Sequence, residues 1–88
     1  MSNAGKHALI ALACVITCAV VIYHPRTPGG FLAAALLCFL CCWANLLAYL
    51  LKWSKENWLW MDMVCSMCWL FSGVIHTLLF LMSIHLLE

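Results

Sequence analysis

Two ionisable side chains, Asp62 and His76, stand within the last apolar run of the sequence, where their burial needs an explanation. Charged groups inside a membrane span are costly and commonly mark pathways for ions or protons. Histidine is also the side chain that ordinarily changes its charge near neutral pH, which makes it a natural proton relay. Asp62 and His76 are therefore candidates for an ion or proton site, and in a ring of subunits they would face a common lumen.

A third polar side chain, Asn45, lies on the preceding apolar run at a depth similar to that of Asp62. Both residues fall about 6 to 9 Å from the connection between the two runs, if the runs are helical. A hydrogen bond between Asn45 and Asp62, or an approach of Lys52 to Asp62, would lower the cost of burying the acid. We therefore interpret Asn45 and Asp62 first as a structural clamp of this hairpin, with an ion or proton site as the alternative.

The seven cysteines include three pairs whose spacing places both thiols on one helix face: Cys14 with Cys18, Cys38 with Cys41, and Cys65 with Cys68. Met61 adds a further soft ligand of the kind that suits Cu(I) or zinc. Metal binding needs thiolates, however, and apolar surroundings keep thiols protonated, so a buried cysteine ordinarily behaves as a small hydrophobic residue. We predict no metal, no cofactor and no disulfide, and retain only Met61, Cys65 and Cys68 as metal candidates.

The polar residues do not form a catalytic constellation. Ser72 and His76 are about one helical turn apart, but Asp62 lies about 20 Å from His76 along the same helix. That distance is too large for a nucleophile, a base and an orienting acid to act together. The sequence also lacks glycine-rich phosphate loops and the HExxH and GxSxG motifs. We predict that the protein is not an enzyme.

The composition excludes a soluble globular domain. Of the 88 residues, 68% are apolar and 8% are charged, whereas soluble domains contain about a quarter charged residues. A chain this short could cover only part of its apolar surface by folding in water, so lipid must cover the rest. The net charge of +1 gives no field for attracting nucleic acid. The expected partners are the lipid bilayer and other membrane proteins, including further copies of the chain.

Three apolar runs, residues 8–23, 31–51 and 58–87, supply the elements that position these side chains. A helix needs about 20 residues to cross the hydrocarbon core of a bilayer, so the second and third runs are long enough. The first run reaches only about 24 Å, so the residues before it are expected to snorkel. We predict an all-α integral membrane protein that forms a single domain over residues 1–88.

Two polar breaks separate the three runs. Residues 24–30 hold two prolines and two glycines, which end a helix and favour a tight turn. Residues 52–57 are polar and charged, with Ser54 or Asn57 available to cap the third helix. Connections this short make neighbouring helices antiparallel. The sequence therefore predicts three transmembrane helices in an up-down-up arrangement, at about residues 7–23, 31–51 and 58–85.

The distribution of basic residues indicates the orientation. Lys6, Lys52 and Lys55 lie on one side of the predicted membrane, and Arg26 lies on the other. Because cytoplasmic segments carry the excess of lysine and arginine, we expect the N-terminus and the second connection to face the cytoplasm. An odd number of spans then places the C-terminus on the opposite side.

The third predicted helix carries a stripe of small and polar residues. At about 100° per residue, five of them share one face: Cys65, Trp69, Ser72, Gly73 and His76. Membrane helices normally turn such a stripe toward other helices, because small residues let backbones approach and polar residues bond across the interface. We expect this face to bind a partner helix, either from another protein or from another copy of the chain.

The stretch Asn57-Trp-Leu-Trp-Met-Asp62, followed by Cys65 or Cys68, resembles the start of the third helix of MARVEL-type proteins. Those are four-helix proteins of vesicle trafficking and cell junctions. The resemblance covers about a third of a chain that has three apolar runs where the family has four helices. It implies a trafficking or membrane-organising role.

Three functional hypotheses follow from the sequence. The preferred one is a small accessory, assembly or scaffolding subunit, or a self-assembling oligomer, that acts through helix–helix interactions. The second is a homo-oligomeric ion or proton channel of the viroporin kind, with His76 and Asp62 facing the lumen. The third is the trafficking or membrane-organising role that the resemblance implies.

Overall fold

In the computed structural model, which describes residues 2–53 and 59–87, all regular secondary structure is helical. Side chains are described as far as residue 85. The chain forms α1 (Asn3–Tyr23), α2 (Pro28–Leu50) and α3 (Leu59–Leu87). Each helix contains a stretch that is long and apolar enough to cross a membrane, with mean hydropathies of 2.1, 2.2 and 1.9.

The first helix begins at Asn3, several residues before the apolar run, because Ser2 caps it. The Ser2 side chain accepts a hydrogen bond from the Gly5 amide at 3.1 Å, which satisfies one of the free amides of the first turn. With 21 residues, α1 reaches about 32 Å. The shortfall in length expected from the apolar run alone is therefore removed by a turn of polar residues.

The second helix also begins earlier than hydropathy indicates, at Pro28 instead of residue 31. The Thr27 hydroxyl accepts a hydrogen bond from the Gly30 amide at 3.2 Å. Proline fits the first helical position, because its missing N–H would have no partner there and its φ is already helical. Pro28, Gly29 and Gly30 thus belong to the first turn of α2, and the break between the helices shrinks to residues 24–27.

A reversal that ends α2 places a lysine in the left-handed backbone region. Lys52 has φ 55° and is the one described non-glycine residue with positive φ. The Trp53 amide donates to the Ala48 carbonyl at 3.0 Å, and the Lys52 amide donates to the Tyr49 carbonyl at 3.3 Å. These two bonds form a Schellman motif, in which glycine is the usual residue at the left-handed position. Ser54 and Asn57, the expected caps of α3, lie outside the described residues.

The helix α2 lies in the middle of the bundle and packs on both neighbours. Contacts with α3 run in opposite sequence order, since Cys38 meets Ser72 and Cys42 meets Ser66. Contacts with α1 do the same, since Thr17 meets Cys41 and Cys14 meets Asn45. The buried apolar residues are all small, which lets the backbones approach closely. They are Ala34, Ala35, Cys38, Cys41 and Ala48.

The outside of the bundle is covered with large apolar side chains. The molecule measures 49 × 18 × 17 Å, which is close to the full thickness of a bilayer with its headgroups, about 40–45 Å. Residues on the outer faces of all three helices are exposed, among them Leu12, Ile16, Leu40, Phe71 and Leu78. Contiguous apolar surface on this scale is not found on soluble monomers.

Candidate functional site

Two residues of the expected partner face on α3 contact α2 of the same chain, and a third is buried. Ser72 Oγ lies 3.2 Å from Cys38 Sγ. Gly73 is buried, and a Cβ added to it would lie 2.9 Å from Cε1 of Phe39. His76 is buried beside them, and its Nδ1 donates to the Ser72 carbonyl at 2.8 Å. This part of the face is occupied within the chain and is not available to a second protein.

Ser66 belongs to the same interface, although the sequence analysis did not single it out. Its side chain is buried, and its hydroxyl donates to the Cys42 carbonyl of α2 at 3.0 Å. Trp69, which the helical projection placed on this face, is half-buried. The available signal for Ser66 was its position seven residues, or about two helical turns, before Gly73, which places both residues on the same side of the helix.

The expected clamp between Asn45 and Asp62 is replaced by two separate sets of contacts. The Asn45 amide nitrogen donates to the Cys41 carbonyl at 2.7 Å and to Cys14 Sγ at 3.3 Å. The Asp62 carboxylate instead lies 2.9 Å from Nε2 of His7 on α1. The two residues do lie at similar depth, but Asn45 ties α2 to α1, and Asp62 ties α3 to α1.

A cleft of about 770 Å³ separates α1 from α3. The backbone of α1 lies close to that of α2, whereas the backbones of α1 and α3 make no close approach within the described residues. The His7–Asp62 ion pair crosses the cleft near the end formed by the N-terminus of α1. Both expected clamp residues line it. The lining is completed by Asn3, Ala4, Ile10, Ala11, Cys14, Lys52, Trp53, Met61 and Cys65.

Two lysines stand at the polar end of this cleft. Lys52 lines the wall beside Trp53. The ammonium of Lys6 lies 5.2 Å from the ring centroid of Trp53, which is a cation–π distance. The carboxylate of Asp62 faces the imidazole of His7. The two lysines therefore give the mouth of the cleft a positive charge.

The two residues of the expected ion or proton site lie far apart on α3, Asp62 in its first turn and His76 near its middle. Asp62 and His76 are fourteen positions apart, or about 21 Å along the helix. His76 instead meets His24 of the first connection, with ring centroids 5.6 Å apart. His24 Nδ1 donates to the Pro25 carbonyl at 2.7 Å, and its Nε2 accepts from Arg26 at 3.2 Å. No pattern in the sequence indicates a role for His24, because its contact depends on how the connection folds back.

The metal candidates do not form a ligand set. Met61 and Cys65 line the cleft, and Cys68 is exposed. In the part of the chain that the structure describes, no group of three histidine, cysteine or acidic side chains could hold a metal ion. All seven cysteines are free thiols. Several of them take part in interhelical contacts with Thr17, Ser66, Ser72 and Asn45.

Comparison with protein-family models, with curated proteins and with solved structures gives no match to this chain. The resemblance of residues 57–68 to MARVEL-type proteins therefore gains no support from these comparisons.

Proposed function

We propose that the chain is a three-span integral membrane protein that acts through association with other membrane helices. In this proposal the spans run up-down-up, with the N-terminus and the connection after α2 in the cytoplasm and the C-terminus on the opposite side. Two lysines at the cytoplasmic end, Lys6 and Lys52, against Arg26 at the other end support this orientation. The antiparallel order of the interhelical contacts supports the up-down-up arrangement.

The observation that carries the proposal of helix association is an exposed apolar stripe with a tryptophan at its centre, which runs along α2 between its two neighbours. The stripe advances by alternating steps of four and three residues and is made of Leu36, Leu40, Trp43, Leu47 and Leu50. This spacing is the a/d repeat of helices that pack along their whole length. Trp43, at its centre, is 64% exposed.

Burial of apolar surface gives no driving force between helices in lipid, because lipid tails are as apolar as leucine. The free energy of association must come from dispersion contacts between well-fitted side chains. A seam of leucines with a tryptophan at its centre supplies large side chains at the repeat that allows knobs-into-holes packing. We therefore propose that the α2 stripe, and not the polar face of α3, is the surface that binds a partner helix.

Such a protein would serve as an accessory, assembly or scaffolding subunit, or would assemble with its own copies. We propose no catalytic activity for it. The channel alternative requires a second arrangement, in which Asp62 and His76 leave their present contacts with His7 and Ser72 and face a shared lumen. The trafficking or membrane-organising role remains a further alternative.

The test is the mass of the particle formed by the protein expressed alone in nanodiscs, measured by native mass spectrometry. We expect a discrete oligomer for the wild type and its dissociation in Trp43→Ala. Trp60→Ala is the matched control, because Trp60 is 63% exposed but lies on α3, outside the stripe. Wild-type monomers that also fail to copurify with a membrane protein of the native host would contradict the proposal.

A further inference from the structure

The cleft between α1 and α3 is graded from polar to apolar along the helix axes. Its polar end holds Lys52 and the His7–Asp62 ion pair. Its other walls include Ala11 and Cys14, about one and two turns beyond His7 along α1. From Asn3 to Cys14 the lining extends about 16 Å along the helix. This order, from charged groups at a helix end to uncharged groups at depth, where the Asn45 amide nitrogen already donates to Cys14 and Cys41, matches the order of a lipid molecule from headgroup to chain.

An open cleft of this kind is filled when the protein lies in a bilayer. Its volume of about 770 Å³ falls in the range of small-molecule sites, roughly 300–1,000 Å³. Water is disfavoured along the deeper part, because most of the lining there is apolar and offers water few hydrogen-bond partners. A void would forfeit the dispersion contacts of the lining residues. We therefore expect a lipid molecule of the bilayer to fill the cleft, with an acyl chain in its deeper part and its headgroup at the mouth.

The positive charge at the mouth of the cleft favours anionic lipid headgroups. Asp62 faces His7, so its negative charge has a basic neighbour within the cleft. Lys52 and Lys6 have no carboxylate partner within the described residues, and they flank Trp53 at the mouth. Lysines near a membrane surface attract anionic lipids, and tryptophan favours the same headgroup level.

The backbone at Lys52 agrees with a role for its side chain. A left-handed conformation costs an L-residue more than it costs glycine, and this position of a helix end usually holds glycine. Residues with strained backbone conformations cluster at functional sites, where their side chains are needed. The ammonium of Lys52 at the cleft mouth is the group that glycine would remove.

We propose that the cleft between α1 and α3 binds one anionic phospholipid, with its phosphate near Lys52 and Lys6 and an acyl chain along Ala11 and Cys14. The proposal rests on the membrane placement proposed above. It gives the chain a specific lipid ligand that neither helix association nor channel activity requires.

The test uses the full chain in nanodiscs made from equal parts of phosphatidylglycerol and phosphatidylcholine with the same acyl chains. Native mass spectrometry then counts the lipids that stay bound after release. We expect one phosphatidylglycerol per chain to be retained in preference to phosphatidylcholine. Lys52→Gly removes the ammonium without straining the backbone, and should lower this preference roughly fivefold, which corresponds to the loss of about one lysine contact at a membrane surface.

Two matched controls separate the cleft from the rest of the surface. Arg26→Gln removes one positive charge at the opposite end of the bundle and should leave the lipid preference unchanged. Ala11→Trp fills the cleft and should abolish retention, whereas Ala19→Trp, on an exposed position of the same helix, should not. Equal retention of the two lipids by the wild type would overturn the proposal, as would equal loss in the controls.

Two further experiments distinguish a phospholipid from a fatty acid as the ligand, and failure of the lipid site from failure of membrane integration. Retention of oleate but not of phosphatidylglycerol would overturn the phospholipid assignment in favour of a fatty acid. Alkaline carbonate extraction of the expressed protein shows whether the chain is integrated. Release into the soluble fraction would overturn both proposals, whereas an integrated protein without lipid preference would overturn the lipid site alone.

Discussion

The imidazole of His7 and the carboxylate of Asp62 lie 2.9 Å apart, although 55 positions separate them in the chain. Asp62 is almost completely buried, whereas about a third of the His7 side chain remains exposed. This pair bridges two helices whose backbones are otherwise separated by the cleft. It therefore links α1 to α3 at this end of the bundle.

A double-mutant cycle measures how much this pair contributes. His7→Gln and Asp62→Asn should each lower the free energy of unfolding, and the coupling between them should be about 1 kcal/mol, as for other polar contacts between membrane helices. The partial exposure of His7 limits the value, because solvent screens the pair. Unfolding would be followed by circular dichroism in mixed micelles of dodecyl maltoside and SDS. A coupling near zero would mean that another contact holds α1.

Gly73 provides a test of the α2–α3 interface. A larger side chain there meets the ring of Phe39, so Gly73→Leu should destabilise the protein by about 1–3 kcal/mol. Gly29→Leu is the control, because no atom lies within 4 Å of a Cβ at that position. Combining Gly73→Leu with Phe39→Ala should recover part of the loss in the same unfolding titration. Equal effects of the two leucine substitutions would show that the helices do not meet at Gly73.

The left-handed backbone of Lys52 predicts an increase in stability on substitution. Lys52→Gly should raise the free energy of unfolding by about 1 kcal/mol, since glycine adopts positive φ without a steric penalty. Leu51→Gly is the matched control at the preceding residue, whose φ is −92°. That change should lower stability, because glycine raises the conformational entropy of the unfolded chain and relieves no steric penalty at a negative φ. A loss of stability in Lys52→Gly would indicate that the lysine side chain makes a contact worth more than the strain.

Thiol labelling should divide the cysteines by their position in the bundle. Cys18 and Cys68 are exposed, whereas Cys38 and Cys41 are buried between helices. In detergent, N-ethylmaleimide should therefore modify Cys18 and Cys68 first and leave the other two unmodified until SDS unfolds the protein. Peptide mass spectrometry after timed quenching gives the order. Early modification of Cys41 would contradict the central position of α2.

The sequence predicts the number of helices well, because each apolar run is long and the breaks are rich in charge, proline or glycine. It also places Ser72, Gly73 and His76 on one face of α3, which is the face that meets α2. What hydropathy misses is the start of each of the first two helices. Those starts depend on single side-chain hydrogen bonds from Ser2 and Thr27, which contribute nothing to an apolar average.

The contacts between distant residues were harder to predict for a geometric reason. His7 and Asp62 lie at matching depths from the same end of the bundle, and so do Asn45 and Asp62. Depth alone cannot choose between these pairs, because the choice depends on the rotation of each helix about its axis. The contact between His24 and His76 depends, in addition, on the path of the connection that contains His24. Helical periodicity fixes which residues share a face, but not which neighbour that face meets.

The central position of α2 has a consequence for the order in which the protein assembles during synthesis. The first helix leaves the ribosome before the other two, yet α2 is the helix on which it packs, and the His7–Asp62 pair links it to α3 near the N-terminal end of α1. We expect α2 and α3 to form a persistent hairpin, while α1 exchanges between docked and free positions in the bilayer. The segment made first is then the last to be fixed, and the translocon must release it before its docking surface is complete.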